Sequence, residues 1–591
     1  MSRGADVVDA HAVAAWARAA VRSLGVAREA LDRVNVFPVP DADTGTNMYL
    51  TLLDAVRALP DPVPVGTGAG DLLVRVARGA LVGARGNSGV ILSEYLRGLA
   101  VDLAGQAEVD PPALAGALRR AARTARGAVA RPAPGTILTA ADAAARSAAL
   151  AVGRGEPSVA TVAAAARDGA RAAALRSTGE LDVLARAQVL DAGALGLVLV
   201  LDALVSVLAP QPGPADVDAP EAPGSAVSEV LGMMSGMVPV VGSRGTGTGP
   251  HAAHEGGEFE VMYVVDGSSH AGTSSHGGAQ GADPVGDPAE GLRARLATVG
   301  DSVVVVGGAD AAGPTGAGLW QAHVHTDDPM AAVAVGRAAT ARGPAAIPDA
   351  AGGALRQIRV RHLPGRDEHA PLPGVAPSPG RAPRDVDRTG PGLVAVTSAP
   401  ALVADLARAG AVVLLRDADG APDLAAMRRV VVDTRAAHVA LLPGAPLEDD
   451  ALRDLRAAVR DDGVVRLDVL PAPTDLHVAV ALAAAQLVEP DGARRVAAAR
   501  AALAGIRVAR ADGAAGTGAL GELLARARAV EVVTVLADDD VPDDALAELA
   551  AVAGRAGVEA VVLRSGRAGT AVTLAVEAPG PAADPAEEDE A

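Results

Sequence analysis

The first 208 residues contain the feature that most restricts the fold, a series of apolar patterns with helical spacing. Apolar residues recur every three or four positions, and the connections between the patterns are short and rich in Gly and Pro. The segments are His11–Leu24, Thr46–Leu59, Asp71–Val82, Val90–Leu103, Pro112–Val129, Thr136–Val152, Val159–Leu175 and Ala192–Leu208. Because helices with short connections pack antiparallel to their neighbours, the sequence predicts an all-α bundle over residues 1–208.

The rest of the chain predicts domains of other classes, and its 591 residues are enough for about three. Residues 225–363 contain strand patterns at Phe259–Val265, Ser302–Val306 and Trp320–Thr326, which indicate an α+β middle domain. Strand and helix patterns alternate over residues 392–578, which predicts an α/β C-terminal domain with parallel pairing. Pro-rich stretches at 209–224 and 364–392 are predicted linkers, and residues 579–591 form an acidic tail.

Composition excludes several classes of function. The net charge of −19 argues against nucleic acid or an anionic membrane surface as the main partner. The absence of Cys excludes disulfides and thiol catalysis, and the absence of Lys excludes a catalytic lysine. No apolar run reaches transmembrane length, and the N-terminus lacks a signal-peptide pattern. We therefore expect a cytoplasmic protein without membrane insertion.

The segment Asn35–Met48 is the richest in chemistry. Asp41 and Asp43 lie two residues apart in a loop that two prolines prevent from being helical. A turn and a helix N-terminus follow, formed by Thr44, Gly45, Thr46 and Asn47. Carboxylates are preferred ligands of Mg²⁺, and the N–H groups of a helix N-terminus attract phosphate. The residues predict a joint magnesium and phosphate site, with an acidic loop that merely caps a helix as the alternative.

Three further loops precede predicted helices. Gly83-Ala-Arg-Gly-Asn-Ser-Gly89 has glycines that let backbone N–H groups approach a ligand, and Ser88 can donate a hydroxyl. It is not a Walker loop, because it lacks the lysine. The other two loops begin at Gly135 and Asp191. A structural turn between helices, or a simple cap at Thr136, is the alternative for these loops.

His323 and His325 alternate in the predicted strand Trp320–Thr326. Side chains two residues apart in a strand lie on one face, with their Cα atoms about 7 Å apart. That spacing suits a shared zinc ion. The two residues alone leave open the alternative of a polar strand face.

The segment Asn35–Met48 resembles the nucleotide-binding domain that the dihydroxyacetone kinase ADP-binding subunit shares with bacterial fatty acid kinase, which reads close to N-x-F-P-V-P-D-G-D-T-G-T-N-M. Ala42 replaces the usual Gly, a small change, and Asn35 stands near the third carboxylate of the glycerone branch, which favours the fatty acid kinase branch. Similar family motifs are G-A-R-G-N-S-G-V-I-L-S, G-T-I-L-T, D-A-G-G-x-G and H-V-H-T-x-D-P. The resemblance implies an eight-helix barrel that binds nucleotide at one end.

The resemblance also implies roles for individual residues. Asp41, Asp43 and Asn35 would bind Mg²⁺, and the loops would bind ATP through Thr44, Gly45, Thr46, Asn47, Gly86, Asn87, Ser88, Gly89, Gly135, Thr136, Asp191 and Gly193. In the family the two histidines belong to a zinc-associated centre needed for activity. The usual cysteine partner is missing, and Glu260 stands in its place. We therefore predict a zinc centre of His323, His325 and Glu260, with Asp41, Asp43 and the histidines as catalytic residues.

By this resemblance the chain is the ATP-binding catalytic subunit of a fatty-acid-kinase-like enzyme. The γ-phosphoryl group of ATP would pass to a fatty acid on a separate fatty-acid-binding protein, which would dock on residues 392–578. The family's G-G-Q-T-M-N-P-S-T segment is not recognisable after Val412–Leu415. The alternatives are a non-catalytic nucleotide-sensing interaction protein or a glycerone-type kinase subunit, and a homodimer is a further expectation.

Overall fold

Residues 10–208 fold into helices whose bounds lie close to the predicted segments. The helices are α1 (Ala10–Arg33), α2 (Thr44–Arg57), α3 (Ala69–Gly83), α4 (Gly86–Leu103), α5 (Pro111–Ala128), α6 (Ile137–Gly153), α7 (Val159–Arg176), α8 (Asp182–Ala187) and α9 (Ala192–Leu208). α1 continues past its predicted end at Leu24, because Ala27 and Leu31 remain fully buried on the same helical face. The short helix α8 was not predicted.

The helices pack in chain order. Each of α1 to α6 contacts the next helix, α7 contacts α9, and α9 contacts α1. Short connections between contacting helices make neighbours antiparallel. The N-termini of α2, α4, α6 and α9 therefore lie at the same end, and these are the positions of the four predicted nucleotide loops.

The computed structural model describes residues 7–38, 40–155, 157–209, 225–235, 237, 257–267, 288–308, 318–341, 353–363, 390–418, 420, 423–488, 491–527 and 529–577. The predicted tail at 579–591 lies outside these residues, as do the predicted linkers apart from 209 and 390–392. The chain divides into two compact units, whose main parts are Met1–Gly257 with Tyr263–Thr326, and Gln357–Ala591. Within the described ranges, no helix is long and apolar enough to span a membrane.

The predicted strands of the middle region are confirmed. Its elements are α10 (Ser225–Met234), β1 (Phe259–Asp266), α11 (Pro288–Leu296), β2 (Asp301–Gly308), β3 (Leu319–Thr326), α12 (Pro329–Thr340) and β4 (Ala354–His362). β2 and β3 are antiparallel, and Val304 lies opposite His323. β4 was not predicted.

The β2–β3 pair packs on the helices of the first unit. The backbone N–H of Gly307 donates to Glu94 Oε2 on α4 at 3.1 Å. After α5, the N–H of Ala130 donates to the carbonyl oxygen of Val303 at 3.2 Å. These bonds fix the strand that contains the two histidines relative to the helical region.

The C-terminal region begins with parallel strands. They are β5 (Gly392–Thr397), β6 (Ala411–Leu415), β7 (His438–Leu442) and β8 (Arg466–Val469), with helices α13 (Val403–Arg408), α14 (Leu424–Asp433), α15 (Asp449–Arg460), α16 (Asp475–Gln486) and α17 (Gly492–Gly505). β5 pairs in parallel with β6 and β7, and β7 with β8, as predicted. β4 pairs antiparallel with β6, so this sheet continues across the predicted boundary after residue 363.

A second sheet completes the C-terminal region and corrects the expectation of parallel pairing. It contains β9 (Ile506–Asp512), β10 (Val532–Ala537), β11 (Glu559–Arg564) and β12 (Ala571–Glu577), with α18 (Gly516–Arg526) and α19 (Asp543–Arg555). β10 is parallel to β11, whereas β12 is antiparallel to both β10 and β9. A parallel crossover needs about a dozen residues. Residues 565–570, which join β11 to β12, are too few for one.

Candidate active site

The predicted magnesium and phosphate residues lie at the N-terminus of α2. Asp43 is the N-cap residue and is buried, yet its side chain makes no capping hydrogen bond. Asp32, at the end of α1, accepts hydrogen bonds from the backbone N–H of Thr46 at 2.9 Å and from its hydroxyl at 2.5 Å. The side chain that fixes the start of α2 is therefore Asp32, and the carboxylate of Asp43 is not used as the cap.

Asn35 and Asp41 are in direct contact. Nδ2 of Asn35, which is buried, donates to Oδ1 of Asp41 at 2.9 Å. A hydrogen bond to a carboxylate restricts its orientation. The structure therefore places Asn35 as a neighbour that orients Asp41, while direct binding of Mg²⁺ by Asn35 remains a prediction.

Ala42, between the two aspartates, has a φ of +53°, in the left-handed region that favours glycine. This backbone makes the replacement of the usual Gly less small than its size suggests. We expect Ala42→Gly to raise the free energy of unfolding by about 1 kcal/mol, because it removes the steric cost of Cβ. Denaturant unfolding measures the change.

A second alanine provides the control for this prediction. Ala58 ends α2 with a φ of −77°, which suits any L-residue. Ala58→Gly is expected to lower stability, since glycine there gains only unfolded-state entropy. Equal changes in the two variants would contradict the strain assigned to Ala42.

The Gly83–Gly89 loop packs against the first turns of α2. The hydroxyl oxygens of Thr44 and Ser88 are 3.1 Å apart. Gly86 has a φ of +53°, and a Cβ added there would lie 2.2 Å from Nδ2 of Asn47. The structure therefore brings together two motifs that the sequence separates, and this close approach requires glycine.

The first turns of α2 and α4 have the chemistry of an anion site. Neither Asp43 nor Arg85, the two N-cap residues, caps its helix with a side-chain hydrogen bond. Oδ1 of Asn87 is buried in the first turn of α4 and has no hydrogen-bond partner within the described part of the chain. N–H groups at helix N-termini bind phosphate, and amide and carboxylate oxygens suit divalent cations. These donors fit a nucleotide triphosphate with Mg²⁺.

Thr136 and Asp191 cap the other two helices at this end. Thr136 Oγ1 accepts from the N–H of Leu138 at 3.4 Å, and Asp191 Oδ2 accepts from Ala194 at 2.7 Å. Asp191 also accepts from the N–H of Ile137, so it joins α9 to α6. Burial raises the pKa of Asp191 to about 7, although these hydrogen bonds act in the opposite direction. Nucleotide contacts of Gly135, Thr136, Asp191 and Gly193 remain predictions.

His323 and His325 are buried on one face of β3, with their Nε2 atoms 3.1 Å apart. Two ligand nitrogens at about 2.0–2.1 Å from one tetrahedral zinc lie roughly 3.3 Å apart. Glu260 on β1 offers a third ligand atom, and the three atoms lie within 4.8 Å of one another. Arg361 Nε contacts Glu260 Oε2 at 2.9 Å, so a bound cation would share this carboxylate. The predicted trio has a donor set that fits zinc.

Some polar residues of the site were missed by the sequence analysis. Arg85 Nη1 donates to Asp54 Oδ2 at 2.9 Å and to the carbonyl oxygen of Gly83 at 2.7 Å. Gln321 Nε2 donates to the carbonyl oxygen of Ala84 at 2.9 Å. Arg85 lies inside the recognised motif, and Gln321 precedes the histidines with the same period of two, so both had a weak signal.

Three known proteins are similar to parts of the chain. Protein YloV of Bacillus subtilis is 35% identical over 203 residues, which are 34% of this chain and 36% of YloV. An uncharacterized protein of Staphylococcus aureus is 42% identical over 118 residues, 20% of this chain and 21% of that protein. The crystal structure of the dihydroxyacetone kinase of C. freundii (native form) is 23% identical, with a TM-score of 0.25, over 35% of this chain and 36% of that chain.

The matches to the two bacterial relatives span about a third or less of the length of each relative. Two family models match the chain itself. The DAK2 domain matches residues 38–206, and the FakA-like middle domain, which is the middle domain of fatty acid kinases, matches residues 258–341. The first includes the four nucleotide loops, and the second includes the buried histidines. The chain therefore belongs to the FakA-like fatty acid kinase family, with a DAK2 domain followed by that family's middle domain.

Proposed function

We propose that the chain is an ATP-dependent kinase that phosphorylates the carboxylate of a fatty acid presented by a separate fatty-acid-binding protein. The observation that supports this most is the uncapped pair of helix N-termini beside Asp41 and Asp43. A buried histidine pair lies in the same compact unit. One group of residues suits a phosphoryl donor, and the other suits an anionic acceptor.

The donor side uses the ends of the helices. Asp41 and Asp43 would hold Mg²⁺, which supplies charge neutralisation to the phosphates. The N–H groups of α2 and α4 and the hydroxyl of Ser88 would bind phosphate oxygens. Because the chain has no lysine, backbone dipoles take the part that a lysine plays in Walker loops.

The acceptor side needs little proton chemistry. A fatty acid carboxylate is ionised at neutral pH, so no general base is required. The task of the protein is to bring two anionic groups into line and to exclude water. His323, His325 and Glu260 would hold zinc, which supplies positive charge for the carboxylate.

Further parts of the proposal concern assembly. The helices would form the eight-helix barrel of the related kinases, which the closed packing order of α1 to α9 supports. The C-terminal unit would dock the fatty-acid-binding protein, and the chain would act in the cytoplasm. A homodimer remains part of this proposal.

The test is formation of acyl phosphate from Mg-ATP and fatty acid, trapped as a hydroxamate, with and without a cognate fatty-acid-binding protein. We expect product that depends on the partner. Dihydroxyacetone serves as the alternative acceptor, and its phosphorylation would favour the glycerone-type kinase. Mg-ATP binding without transfer to either acceptor would contradict a kinase and favour the nucleotide-sensing protein.

A further inference from the structure

Gln321 joins two parts of the site that are 237 residues apart in the chain. Its side chain is buried on β3, at 1% exposure, and Nε2 donates to the carbonyl oxygen of Ala84 at 2.9 Å. Ala84 lies between α3 and α4, inside the Gly83–Gly89 loop. Both residues belong to the first compact unit. The middle-domain strand is therefore tied directly to the proposed phosphate loop.

The same face of β3 contains the histidines. Gln321, His323 and His325 alternate along the strand, so their side chains project from one face. Successive residues on that face are about 7 Å apart along the strand. The line of side chains thus runs from the phosphate loop at Gln321 to the proposed acceptor site at the two histidines.

The loop is held from two directions. On the helical side, the backbone N–H of Arg85 donates to Thr51 Oγ1 at 3.2 Å, and Arg85 Nη1 donates to the carbonyl oxygen of Gly83 at 2.7 Å. On the other side, Gln321 binds the residue between them. Any shift of β3 is therefore transmitted to the backbone that precedes Gly86.

The buried amide of Gln321 is used on one side only. Its Oε1 is buried and has no hydrogen-bond partner among the described residues. An unsatisfied buried acceptor destabilises a fold, so a purely structural position would favour an apolar side chain of the same length. The donor to Ala84 is the feature that such a replacement would remove.

We propose that Gln321 is a positioning residue for phosphoryl transfer, which sets the distance between the phosphate loop and the face of His323 and His325. This inference rests on the proposed function. Reacting atoms must approach to about 3–3.5 Å, and a misplacement of 1 Å can reduce the rate roughly 100-fold. A single hydrogen bond at the junction of the two sites therefore affects turnover more than nucleotide binding.

The test compares Gln321→Met with Thr326→Val in the full chain. Methionine keeps the length of the side chain and removes the donor. Thr326 provides the matched control, because its hydroxyl donates to the carbonyl oxygen of Val299 at 2.7 Å from the opposite face of the same strand. We expect kcat to fall roughly 10-fold to 100-fold in Gln321→Met. The Kd for Mg-ADP and the metal content should stay within about threefold of wild type, since neither ligand set is altered.

Hydrogen exchange gives a readout that does not depend on the acceptor. Amides of residues 83–89 should exchange about tenfold faster in Gln321→Met, and at the wild-type rate in Thr326→Val. Equal exchange and equal kcat in the two variants would overturn the inference. If Gln321→Met does not fold, Gln321→Asn withdraws the amide by one methylene and is expected to give the same pattern. If wild type makes no acyl phosphate, the proposed function fails, and the exchange rates alone decide the link.

Discussion

Asp43→Asn is expected to lower the rate of phosphoryl transfer at least about 1000-fold, and Asp41→Asn should have a similar effect. The substitution keeps the shape of the side chain but removes a negative charge from the proposed magnesium site. The fold should remain, because Asp32 rather than Asp43 fixes the start of α2. Initial rates over a series of Mg²⁺ concentrations measure the effect, and added Mg²⁺ should not restore it.

Asp61→Asn is the matched control for this experiment. Asp61 lies in the loop after α2, its side chain is 83% exposed, and it approaches Arg18 at 3.5 Å. An exposed pair of this kind contributes little, so rate and melting temperature should be unchanged. If Asp43→Asn keeps more than about a tenth of the wild-type rate with the same Mg²⁺ dependence, the carboxylates do not form the metal site.

The helical region was predictable because its signals are local. An apolar face every three or four residues and short Gly- and Pro-rich connections determine where each helix lies. β4 was missed for the opposite reason. Its arginines alternate with apolar residues, and Arg359 reads as exposed until Asp433, from α14, is known to contact it. A buried ion pair between residues far apart in sequence leaves no local pattern.

The site shows the same division. Asp41, Asp43, Ser88 and the two histidines lie in compact motifs and could be named from the sequence. Asp32 and Gln321 could not, because their roles depend on partners that only the fold brings near. Local chemistry thus identified the groups that would touch substrate, whereas the residues that orient them required the structure.

The buried histidines predict the second large effect, a loss of zinc in His323→Gln and in His325→Gln. Removing an outer-shell partner of a metal ligand already lowers affinity by 10-fold to 100-fold, so loss of a ligand should exceed roughly 100-fold. Purified wild type should contain about one zinc per chain and each variant far less, as measured by mass spectrometry of the metal. Acyl phosphate formation should fall about 100-fold, whereas Mg-ADP binding should not change.

Two neighbouring side chains serve as controls that match the change in residue type. His362 on β4 is partly exposed, with Nε2 3.4 Å from Glu258 Oε1, so His362→Gln should keep its zinc. Glu260→Gln should lose zinc, whereas Glu258→Gln should not, because Glu258 binds Arg408 at 2.6 Å instead. Equal zinc in Glu260→Gln and wild type would remove Glu260 from the centre. A wild type without zinc whose activity still needs both histidines would make them donors to the phosphoryl group, because a 3.1 Å pair of imidazoles offers N–H groups to an anion with no metal present.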